Sequence, residues 1–113
     1  MPEFTVTVAH HPEESVIAVT GEMDMSTCPR VEEATMALPA GNVSLRLDLS
    51  GISFMDSMGL NLLLTLRRRL RAGGGRLLLA GVQEQPCGLL RLTGAYPLFD
   101  ITEAADSLAG SGR

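Results

Sequence analysis

Ser53-Phe54-Met55-Asp56-Ser57-Met58-Gly59-Leu60 joins an apolar strand to a leucine-rich helix, and its reading decides the fold. Upstream, Leu45, Leu47 and Leu49 alternate with Arg46, Asp48 and Ser50, the period of a strand. Downstream, Leu60 to Arg71 holds neither proline nor glycine and consists mainly of strong helix formers. Asp56 and Ser57 therefore stand where a helix begins, with backbone N–H groups that lack intrahelical partners and a positive dipole end. A hydroxyl placed there can cap the helix, act as a nucleophile, or accept a phosphoryl group.

Working toward the N-terminus, Phe4-Thr5-Val6-Thr7-Val8 alternates as a strand with one buried face. A polar turn follows from His10 to Glu14, and Ser15 to Thr20 resumes β-branched residues, so the first two strands form a hairpin. Gly21-Glu22-Met23-Asp24 reads as a loop. Ser26 or Thr27 is the expected N-cap of a first helix that ends near Leu38. The next strand is expected over Ser44 to Leu49.

Working toward the C-terminus, Gly73-Gly74-Gly75 stops the second helix. Leu77-Leu78-Leu79-Ala80 is a continuous apolar run, as expected of a strand covered on both faces. A shorter helix follows from about Gln85 to Thr93, then a last strand over Leu98-Phe99-Asp100-Ile101 and a terminal helix over Glu103 to Ala109. A hairpin followed by alternating helices and strands implies an α/β mixed sheet with helices packed on it, joined by right-handed crossovers.

The 113 residues suit one domain, expected over 4–108 with a disordered tail at 109–113. The net charge of −4 argues against a general nucleic-acid binder. All nine basic residues are arginine, which reads as coding bias. Cys28 and Cys87 stand far apart without CxxC company, and nothing suggests secretion, so no disulfide is expected. No apolar leader opens the chain, and no run approaches the ~18 apolar residues that span a bilayer. A soluble cytoplasmic protein is expected.

The site residues narrow the chemistry. Met55 stands where a Gly-x-Ser-x-Gly nucleophile elbow needs its first glycine, and the only histidines, His10 and His11, fall in the hairpin turn. That argues against a serine hydrolase, and no third ligand accompanies the histidines to make a metal site. On the second helix, Gly59, Leu62, Leu63, Leu66 and Leu70 share an arc of roughly a quarter turn, the core stripe. Leu60 and Leu64 fall outside it, among Arg67, Arg68 and Arg71, and so suggest a partner-binding face. The alternative is that a neighbouring loop covers Leu60 and that Leu64 is simply exposed. Met23, Met25, Met55 and Met58 are either core filler or an adaptable contact surface at the site.

Gly21-Glu22-Met23-Asp24, Leu47-Asp48-Leu49-Ser50 and Phe54-Met55-Asp56-Ser57-Met58-Gly59-Leu60 together resemble the STAS domain of bacterial anti-sigma factor antagonists. Gly81-Val82 and Leu92-Thr93-Gly94 extend the similarity over nearly the whole chain. The resemblance implies a small α/β domain that is not an enzyme and needs no cofactor. Its implied partner is an anti-sigma factor that is also a serine kinase of the histidine-kinase-like ATPase fold; binding releases a sigma factor. Phosphorylation at the matching Ser57 switches the antagonist off, and a serine phosphatase restores it. Taken with the helix face described above, the expected partner-binding residues are Asp24, Asp56, Met58, Gly59, Leu60, Asn61, Leu64, Arg67 and Arg68. Methionine at 58 departs from the small residue that many relatives carry. No nucleic-acid or membrane partner is implied, and a monomer is expected when free. A STAS adaptor subunit of a transporter or signalling complex, and a small-ligand or nucleotide module using the Asp24 and Ser57 loops, are the other readings.

Overall fold

The computed structural model describes residues 3–39 and 43–103. Strands β1 (Thr5–His10) and β2 (Ser15–Met23) form the expected antiparallel hairpin, with Val6 opposite Val19 and Val8 opposite Ile17. Helix α1 (Cys28–Met36) leads to β3 (Ser44–Met55), and α2 (Ser57–Ala72) leads to β4 (Arg76–Ala80). Helix α3 (Glu84–Leu92) and a 3-10 turn at Tyr96–Leu98 precede β5 (Asp100–Thr102). The five strands lie in chain order, and every pair after the hairpin is parallel. This is the mixed sheet that the alternation of elements implies.

One face of the sheet is dry. Ile17, Val19 and Met23 of β2 and Leu45, Leu47, Leu49 and Ile52 of β3 are buried, while their alternates Ala18, Arg46 and Asp48 are only half-buried. Helices α1 and α2 pack on the strands and touch each other. The core stripe of α2 is as expected: Gly59, Leu62, Leu63 and Leu66 are buried, and Leu70 packs at its margin.

Three boundaries and one burial pattern differ from the sequence reading. Both β2 and β3 run farther, to Met23 and Met55, so Gly21 to Met23 is strand and not loop. A register shift between Gly21 and Glu22 absorbs the glycine, whose φ of +110° suits a bulge. Leu78 is half-buried beside Arg46, so β4 is covered on one face only. Leu98 belongs to the 3-10 turn, which delays β5 to Asp100. The expected terminal helix and tail lie outside the described residues, apart from Glu103.

The turn after α2 needs close approach of two backbones. A Cβ on Gly75 would sit 1.9 Å from the Val43 carbonyl oxygen, and the Arg76 N–H donates to that same oxygen at 3.0 Å. Glycine there lets β4 enter the sheet alongside β3.

Candidate functional site

Parallel pairing sets the site. Met23 stands opposite Met55 at the carboxyl ends of β2 and β3, so Asp24 and Asp56 leave the sheet side by side. The Asp56 N–H donates to the Met23 carbonyl at 3.1 Å and ties the two exits together. In open α/β sheets this carboxyl edge is where ligands and partners meet the chain.

Each aspartate closes a helix entry. Asp56 is the N-cap of α2: its Oδ1 accepts from Met58 N–H at 2.9 Å and Gly59 N–H at 3.2 Å. Thr27 occupies the N-cap position of α1 but makes no capping bond with its side chain. Asp24 does that work from three residues upstream, its Oδ1 accepting from Ser26 N–H and Oγ and from Thr27 N–H at 2.7–3.2 Å. The Ser26 hydroxyl and backbone bonds, ahead of those from Thr27, hold the Asp24 carboxyl below its ordinary range. Cys28 sits beneath this edge. Burial, then the Asp56, Asp24 and Glu32 carboxylates, push its thiol up to about 11, and both cysteines are free.

Ser57 is the first residue of α2 and is exposed, and its hydroxyl has no hydrogen-bond partner among the described residues. Asp56, and not Ser57, caps the helix. Around it the methionines divide. Met23 and Met55 are core residues at 0% and 1% exposure, whereas Met25 and Met58 are 72% and 45% exposed. Phe54, 40% exposed and next to last in β3, adds a third apolar side chain near this edge.

The remaining expected partner residues separate by burial. Ser57, Asn61, Leu64 and Arg68 recur at i, i+4, i+7 and i+11 and form one line away from the core stripe. Asn61 and Arg68 are exposed, and Leu64 is half-buried at the core margin. Leu60 does not belong to the outer face: it is 8% exposed and part of the core. Two turns farther along α2 on that side, Arg67 donates Nε to the Leu98 carbonyl at 2.7 Å. Arg67 is thereby a tether as well as a surface charge. Gly59 is also buried, and a Cβ there would meet Met55 Cγ at 2.5 Å and Met23 Cβ at 3.2 Å. Its role is to let α2 start directly against the two strand ends.

Two residues that the sequence reading did not single out support the site. Beyond Asp48, β3 leaves β4 behind and its edge would be open. Gln85 closes it, donating Nε2 to the Met55 carbonyl at 3.0 Å and accepting from the Met55 N–H at 2.8 Å. Gln83 donates to the Ser50 carbonyl at 2.7 Å. A glutamine near a helix start carries no sequence signal for such a role.

Among the described residues no cluster of histidine, cysteine, aspartate and glutamate could hold a metal ion. Nor is any helix among them long and apolar enough to cross a membrane.

Fold and site define a small α/β domain that displays a serine at the head of its second helix. The chain belongs to the STAS family: the family described as "Mlab, STAS domain" matches residues 6–98. It is 32% identical to the anti-sigma-F factor antagonist RsfB of Mycobacterium tuberculosis, over 97% of this chain and 93% of that one. A crystal structure of an anti-sigma factor antagonist from Mycobacterium paratuberculosis superimposes with a TM-score of 0.81 at 29% identity, covering 96% and 93% of the two chains. SpoIIAA shares the fold at 22% identity. Its unphosphorylated form gives a TM-score of 0.71 over 94% and 97% of the chains, and its phosphorylated form 0.63 over 98% and 100%.

Proposed function

We propose that this protein is an anti-sigma factor antagonist that binds an anti-sigma factor in the cytoplasm and is switched off by phosphorylation of Ser57. The observation that carries the reading is the free hydroxyl of Ser57, exposed at the first position of α2 while Asp56 caps the helix. Relatives at about 30% identity along nearly the full chain are named as antagonists of this kind. The partner in this reading is an anti-sigma factor with serine kinase activity and a histidine-kinase-like ATPase fold, and a serine phosphatase reverses the modification.

The electrostatics suit a surface switch. A phosphoserine carries about −1.5 to −2 charges. The N–H groups of Met58 and Gly59 that would otherwise receive it are already bound to Asp56. The phosphate therefore stays outward, beside the Asp56 carboxylate and the exposed Met58 side chain. Docking an apolar partner surface on Met25, Phe54 and Met58 would then require stripping water from a doubly charged group. Binding is lost with no refolding of the domain.

The test is incubation with the anti-sigma factor kinase and ATP, followed by phosphopeptide mapping and a binding titration. Modification is expected at Ser57 alone, and Ser57→Ala should bind the partner with or without ATP. Modification at Ser50 or Ser53 instead, or a Ser57→Ala protein that still loses binding with ATP, would overturn the reading.

A further inference from the structure

Strand β1 forms one edge of the sheet, and among the described residues nothing pairs with its outer side. Exposed edges are usually blunted by charge, proline, bulges or brevity. β1 has none of these: Thr5-Val6-Thr7-Val8-Ala9-His10 carries no acidic residue, lysine or arginine, and pairs with β2 through six consecutive residues without a register shift. Val8 is on the core side of the sheet, opposite the fully buried Ile17, yet is 45% exposed. The dry face is thus unfinished at this edge.

We propose that β1 pairs antiparallel with β1 of a second copy, making a two-fold dimer with one continuous ten-stranded sheet. A two-fold axis perpendicular to the sheet keeps like faces together, so opposed residues must share a face. Centring the axis on Thr7 pairs Thr5 to Ala9 of the two strands and sets His10 against Phe4. Thr7 then faces Thr7, Val6 faces the second copy's Val8, and Thr5 faces the second copy's Ala9. The two Val6–Val8 pairs are β-branched cross-strand contacts on the core side and cover the exposed Val8 side chains. Beyond the strand ends the same register sets Glu3 against His11, so no like charges oppose one another. Ser57 follows the carboxyl end of β3, two strands in from this edge, and both serines of the dimer stay open.

An interface of one short strand a side is small, so self-association is read at high protein concentration. Sedimentation velocity from 10 µM to 1 mM should show monomer passing to dimer, and Val8→Lys should weaken the association at least tenfold while leaving the circular dichroism spectrum unchanged. Register is tested separately in a Cys87→Ser background. Opposed Cα atoms about 4.5–5.5 Å apart are within reach of a disulfide, so Thr7→Cys should cross-link to itself on oxidation and Thr5→Cys should not. Wild-type protein that remains monomeric to 1 mM would overturn the proposal, as would cross-linking of Thr5→Cys as efficient as that of Thr7→Cys.

Discussion

The side-chain amide of Gln85 pairs with the backbone of Met55 through two reciprocal hydrogen bonds, at 2.8 and 3.0 Å, in the way a neighbouring strand would. Met55 is two residues before Ser57, so a residue from α3 pairs with the strand end from which α2 starts. Gln85→Ala leaves the Met55 N–H and carbonyl without that partner and should cost about 1–3 kcal/mol. Hydrogen exchange at the Met55 amide should accelerate more than at Leu47, which pairs within the sheet; equal acceleration at both would assign the loss to general unfolding.

Gly59→Ala tests the contact between α2 and the strand ends. Helix propensity alone favours alanine by about 1 kcal/mol. The clash of a new Cβ with Met55 Cγ and Met23 opposes it, and overpacking of this kind costs about 1–3 kcal/mol. Net destabilisation in urea denaturation is expected, whereas a raised midpoint would mean that Met55 can move aside.

Asp56→Ala removes the α2 cap and should cost about 0.5–2 kcal/mol, while Asp56→Asn should recover most of it. The pair separates capping from charge. If the proposed phosphotransfer needs the carboxylate itself, Asp56→Asn will keep its melting temperature and lose its rate of modification.

Leu60 and Leu64 should behave differently despite their neighbouring positions. Leu60→Ala opens a cavity in the core and should cost about 2–5 kcal/mol. Leu64 is at the core margin, on the line that runs from Ser57 to Arg68, and Leu64→Ala should cost ~1 kcal/mol of stability or less. If that line meets the partner, Leu64→Ala lowers affinity by about 1–2 kcal/mol. Calorimetry on both variants, with and without partner, checks the division.

Cys28 links stability to alkaline pH. Its thiol holds its proton up to about 11 in the folded state, against about 8.5 in an unfolded chain. The sign follows: its contribution is fully present below about 8.5 and is lost as pH rises from there toward 11. The drop in urea midpoint between pH 8 and pH 10.5 should therefore shrink in Cys28→Ala. A thiol reagent at pH 8 should modify the half-buried Cys87 first.

Much of this protein was legible in its residues because the signals are local. Alternation at Leu45, Leu47 and Leu49, the unbroken run from Leu60 to Arg71 and the glycines at 73–75 need only the period of a strand, the propensity of a helix and the backbone freedom of a turn. They gave the element order, the mixed sheet, the core stripe of α2 and the position of Ser57 at a helix start. Tertiary structure decided the rest, because burial on a flank depends on what returns to cover it. Periodicity put Leu60 outside the stripe, but the folded chain covers that flank and Leu60 joins the core at 8% exposure. Composition left Met23, Met25, Met55 and Met58 as one group; the parallel register of Met23 with Met55 buried two of them and exposed the other two. The Gln85–Met55 pair spans thirty residues of sequence, and no local pattern encodes a contact between chain segments that only folding brings together.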